Sequence, residues 1–146
     1  MKWIGWMVAV GLVCGGVAVA DINVPSDGSD GELYVTTDTV IDLSQAVTGN
    51  WDDDNSANAG KGIYDSNKWA VVFKYTNVTV DAGATVTFNN HPSRAPVVWL
   101  VSGDVTINGT VSLNGESHTY RPELAEPGPG GFRGGTRSSF RLGRHP

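Results

Sequence analysis

The sequence predicts an all-β fold: a short parallel β-helix or solenoid-like body of about two visible coils, ending in a disordered C-terminal tail. Three observations carry this prediction. Valine and threonine dominate the middle of the chain, glycine occurs at 19 of the 146 positions, and two adjacent stretches align with each other at a spacing of about 26 residues. β-Branched residues suit pleated strands, and glycine suits the turns between them. No stretch beyond residue 20 repeats apolar residues at helical spacing for more than a turn or two, which argues against an α-rich domain.

The elements follow in chain order. Lys2 precedes an uncharged apolar run from Trp3 to Val17, and Ala18-Val19-Ala20 closes it with a small-x-small pattern. This is the layout of a secretory signal, so residues 1–20 are expected to be removed before Asp21 and the product to be secreted or held at the cell surface. The alternative is an uncleaved anchor, because Trp3 to Ala20 is eighteen residues without a charge and about 20 are needed to span a bilayer. The single cysteine, Cys14, lies inside the signal after Val13, where a lipoprotein signal requires a small residue. Cleavage would leave no thiol for a disulfide or a metal.

Residues 21–32 read as a polar leader, with Asp27-Gly28 and Asp30-Gly31 as turn formers. Strands are predicted at 33–37 and 39–43, followed by an acidic surface loop over 48–67. A β-solenoid-like domain is thus expected over 33–115. Its core is the internal alignment, in which Ala70–Thr76 matches Pro96–Ser102 at an offset of 26, Val78–Val80 matches Val105–Ile107 at 27, and Val86–Phe88 matches Val111–Leu113 at 25. Length changes fall in the turns, where insertions disturb no packed strand. Alternation places Val105, Ile107, Val111 and Leu113 inward, with Thr106 and Ser112 outward.

The segments NVTVDAGATVTF and VVWLVSGDVTINGTVSLNG resemble the coils of secreted right-handed parallel β-helix proteins of bacterial envelopes. That group includes adhesin passengers and polysaccharide-degrading enzymes. The same segments are similar to the front of exported bacterial proteins with glycine-rich bodies. The resemblance covers about residues 68–115 and implies a fold; inward valine and turn glycine say little about activity.

Residues 116–146 are rich in glycine, proline and arginine without alternation and read as a disordered tail. Two coils are fewer than the three or so that a solenoid needs, so the chain is expected to be the N-terminal part of a longer protein. Net charge is −5 overall. Residues 21–120 hold four cations against thirteen acids, and residues 121–146 hold five arginines against two glutamates. An acidic body excludes a nucleic-acid footprint, which requires clustered cations on a folded face.

Candidate sites are few. Asp52 and Asp54, with Ser56 and Asn58, alternate as oxygen ligands do, so calcium is the one metal to consider and no other cofactor is expected. The EF-hand glycine and glutamate positions hold Ala57 and Ile63 instead. Trp51 and Tyr64 are candidate ligand-binding residues that would stack on a sugar. Trp69, Val71, Phe73 and Tyr75 share one strand face and are expected in the core. No catalytic residue is assigned: the groups at Asn90–Arg94 and Glu116–Glu123 show no spacing that a reaction demands. The expected function is an exported, non-enzymatic surface or extracellular scaffold or adhesin-like module. Its partners would be polysaccharide or a cell-surface protein, with no nucleic acid and no membrane span after signal cleavage. The alternative is the N-terminal part of a carbohydrate-active β-helix enzyme.

Overall fold

The computed structural model describes residues 25–115 and 126–132. The expected signal at residues 1–20 and most of the basic tail lie outside the described residues. Among the described residues nine strands form two sheets: β1 (Gly31–Val35), β2 (Thr39–Asp42), β3 (Val47–Thr48), β4 (Ile63–Asp65), β5 (Ala70–Val80), β6 (Thr85–Asn89), β7 (Val97–Val101), β8 (Val105–Ile107) and β9 (Thr110–Val111). No helix among the described residues is long and apolar enough to cross a membrane.

β5 organises the larger sheet. On one side it pairs with β1 in parallel and β4 in antiparallel fashion, and on the other with β7 and β8 in parallel. β3 adds to β4. The smaller sheet runs β2-β6-β9, all parallel. The offsets of the sequence alignment reappear as ladder registers: Val71 faces Val97, Val78 faces Val105 and Val86 faces Val111. The change from 26 to 27 arises in the β7–β8 turn, where the chain advances four residues from Val101 to Val105 while β5 advances three from Tyr75 to Val78. Across Thr76–Asn77 of β5 the side chains facing the core shift from Val71, Phe73 and Tyr75 to Val78 and Val80, and the β1 ladder skips a residue between Gly31 and Leu33. An extra residue in one strand reverses which side chains face inward, and β5 bulges accordingly. Asn77 Oδ1 steadies the bulge by accepting from the Asp104 N–H at 2.9 Å.

The β-helix or solenoid expectation is corrected here. The fold is all-β with two sheets, and neither sheet is closed or curled. A solenoid winds through parallel ladders only, whereas β4 turns back onto β5 antiparallel, Ile63 to Val72 and Asp65 to Ala70. The segment between β3 and β4 then lies over the outer face of β5. That face is consequently buried as well: Val72 and Lys74 are covered along with Ile63, Asn55 and Asp65, while Val71, Phe73, Tyr75, Val78 and Val80 pack against Ile41, Leu43 and Val86. The 48–67 segment is largely exposed, as expected of a surface loop, but it is anchored through buried Asn55, Gly62, Ile63 and Asp65 and contains the short strand β4.

Burying a lysine requires partners, because an unpaired cation in a dry interior is costly. Lys74 Nζ donates to Asp27 Oδ2 at 2.9 Å and to the Asp53 carbonyl. Buried Asp30 accepts three donors: Asn55 Nδ2 at 2.6 Å, the Gly60 N–H at 2.9 Å and the Lys74 N–H at 2.7 Å. The leader and the covering segment are tied to β5 through this network. Burial pushes the Asp27 carboxyl up, but hydrogen bonds from Lys74 and Ser29 outweigh it and hold the group at about 2 against an ordinary 3.8. Because the folded value is depressed, the stabilisation is complete above pH 3.8 and is lost as pH falls from there toward 2. Acid unfolding followed by circular dichroism should therefore steepen in that window for the wild type and flatten for Asp27→Asn. Identical profiles would rule the pairing out as a source of acid sensitivity.

The expected inward burial of Val105, Ile107 and Leu113 is also corrected. They are 53%, 48% and 52% exposed, and Val111 is half-buried. Their register partners Val78 and Val80 are fully buried. Alternation selects the face correctly, but burial needs a further layer, and no described residue supplies one beyond β8.

Candidate functional site

The residues singled out in the sequence do not converge. Trp51 lies beneath Lys68, whose ammonium sits 4.6 Å from the ring centroid and 3.9 Å from Asp65 Oδ2. Asp65 in turn accepts from the Trp51 N–H at 3.2 Å. Tyr64, the preceding residue on β4, points to the opposite face and stacks on His91 at 4.1 Å. The two rings therefore meet different neighbours and form no joint platform. Asp52 and Asp54 are both exposed. Asp54 accepts from the Ser56 N–H at 2.7 Å, which holds its carboxyl below the ordinary range, and the intervening Asp53 accepts from the Asn50 N–H at 2.8 Å. These carboxylates cap turns. Among the described residues no three His, Cys, Asp or Glu side chains gather at metal-binding distance.

What the fold does assemble is a corner between the β4–β5 turn, the connection from β6 to β7, and residues 126–132. The tight return from β4 leaves Trp69 with a left-handed φ of 50°, just outside β5. Its core companions Val71, Phe73 and Tyr75 are buried as expected, but Trp69 is 36% exposed. Trp69 Nε1 donates to the Ser93 carbonyl at 3.1 Å, and the ring stacks on Phe132 at 5.6 Å and 24°. Arg94, the next residue, is also left-handed at φ 56°. Bulky residues rarely adopt this conformation and store about 1–3 kcal/mol of strain where they do.

Residues 126–132 belong to the segment expected to be disordered, yet they lie against this corner. Arg94 pairs with Glu126 at 3.3 Å, the Gly130 N–H donates to the Arg94 carbonyl at 3.2 Å, and Asn90 Nδ2 donates to the Pro127 carbonyl at 2.6 Å. Gly130 is left-handed at φ 77°, and a Cβ there would meet Pro96 at 3.0 Å, so glycine is what lets the segment approach.

His91 Nδ1 accepts the Ser93 N–H at 3.1 Å and lies 2.7 Å from Ser93 Oγ. Accepting the backbone N–H places the imidazole proton on Nε2, and burial lowers the pKa. Sequence reasoning missed this contact because His91 and Ser93 looked like scattered turn residues. The only signal was their position between two matched strands. The pair satisfies a turn, and among the described residues the His91 ring is hydrogen-bonded to Ser93.

No protein-family model, no curated protein and no solved structure matches this chain.

Proposed function

We propose that this chain is an exported, non-enzymatic surface or extracellular scaffold module, the leading part of a longer strand array, which works by taking up further strands from a partner polypeptide. The observation that supports it is the half-exposure of Val105 and Ile107 directly beside the fully buried Val78 and Val80. β7 and β8 pair only with β5, and β9 only with β6, among the described residues. Next to them lies an apolar opening of about 210 Å³ lined by Phe88, Val97, Trp99, Val111 and Leu113. An open strand edge with an apolar face is a template for strand addition. Of the two partner classes expected from the sequence, a cell-surface protein is the one this edge accepts. Export rests on the leader pattern, and the non-enzymatic reading is supported by the turn-bound state of His91 and Ser93.

Residues 21–146 should associate in a concentration-dependent way in light scattering. The double variant Val105→Lys/Ile107→Lys should remain monomeric with an unchanged far-ultraviolet spectrum, because charge on an edge strand blocks pairing. A wild type that stays monomeric at all concentrations, or a double variant that associates equally well, would remove the open edge as the working surface.

A further inference from the structure

We infer that the corner bounded by the end of β6 and residues 126–132 is a saccharide site, taking neutral, hydroxyl-rich pyranose units of a polysaccharide. A cavity of about 300 Å³ opens there, and its lining includes Phe88, Asn89, Asn90, Asn114, Glu126 and Pro127. That is the lower end of the size range for small-ligand sites. Among the described residues its polar side chains are three amides and one carboxylate, and Arg94 pairs with the carboxylate at 3.3 Å. Each amide offers a donor and an acceptor side by side, which matches adjacent hydroxyls and gives no preference for a charged ligand.

Two further observations point to a ligand. Among the described residues Asn90 Oδ1 is buried without a hydrogen-bond partner while its Nδ2 is committed to the Pro127 carbonyl. Buried acceptors are nearly always satisfied, and a ligand hydroxyl is a donor of the right kind. The segment that supplies Glu126, Pro127 and Gly128 to the lining also carries Phe132, four residues beyond Gly128, which is 79% exposed and stacked on Trp69. A pyranose presents an apolar C–H face that packs on such a ring while its hydroxyls reach polar groups. The two strained residues, Trp69 and Arg94, hold this arrangement: one positions the indole under Phe132, the other fastens Glu126 and Gly130.

The amides come from two separate segments, the end of β6 and the stretch after β9. Asn89 pairs with Asp42 across β2 and β6. Asn114 lies three residues past the end of β9 and lines the same cavity as Asn89. The site shares only Phe88 with the apolar opening and does not depend on strand addition.

Affinity electrophoresis of residues 21–146 through gels containing hydroxyethyl cellulose, galactomannan or polygalacturonate tests this. Retardation by at least one of the two neutral polymers is expected. Phe132→Ala and Asn114→Ala, both at exposed positions, should each weaken it by about tenfold or more in dissociation constant. Val105→Lys/Ile107→Lys should bind as the wild type does, which separates this site from the strand edge. Retardation by polygalacturonate alone, by none of the three, or equally in the wild type and both alanine variants would overturn the assignment.

Discussion

Asp30→Ala is expected to destabilise the fold by about 3–5 kcal/mol, the range for breaking a buried, charged hydrogen-bond network. The carboxylate accepts from Asn55 Nδ2, the Gly60 N–H and the Lys74 N–H. Alanine leaves all three donors without that acceptor in a place where Asn55 and Lys74 are almost fully buried. It also detaches the covering segment from β5, so the loss should appear as a lower urea midpoint with intrinsic tryptophan fluorescence as the probe. Asp30→Asn keeps an acceptor and should fall between. Asp104→Ala, at an exposed carboxylate in the β7–β8 turn, should be within about 0.5 kcal/mol of the wild type. An Asp30→Ala midpoint close to that of Asp104→Ala would mean that the network does not hold the covering layer.

Val78→Asp and Val105→Asp should differ as sharply, although the two valines are register partners with the same neighbours in sequence pattern. Val78 has no exposed surface and packs in the cluster with Val80 and Val86. An aspartate there would bury an unpaired carboxylate, at a cost of about 4 kcal/mol or more, or prevent folding. Val105 is 53% exposed, and its carboxylate would remain in water, so folding of the monomer should change by less than about 1 kcal/mol. Thermal unfolding at low protein concentration separates the two. A Val105→Asp melt as depressed as that of Val78→Asp would show that β8 is covered.

This contrast shows how far the chain could be read. The pairings of Val71 with Val97, Val78 with Val105 and Val86 with Val111 were legible because a parallel ladder matches like with like, and the repeated pattern states its own offset. The strands near residues 33 and 39 were legible for a similar reason: two apolar alternations flank a polar step, and β1 and β2 lie there. The candidate site was much less legible. Trp69 was expected on a core face because it is in phase with Val71 and Phe73, but the tight turn from β4 rotates it out through a left-handed φ. Asn89 and Asn114 carried no motif at all and come together only as lining of one cavity in the folded chain.

Alternation, glycine placement and the internal alignment are local properties, and by themselves they determined that the chain is β-structured and which segments pair at which offset. Tertiary structure alone decided the rest. Lys74 and Asp30 are interior because the segment between β3 and β4 folds over β5. The sheets remain two open layers because β4 returns antiparallel. Residues 126–132 are held at the Trp69–Arg94 corner by an ion pair, a backbone hydrogen bond and the Asn90 amide, none of which any periodicity announces. The physical reason is the range of the interactions: side-chain alternation is set by the pleat of one strand, whereas burial and polar pairing depend on which distant segment arrives to cover it.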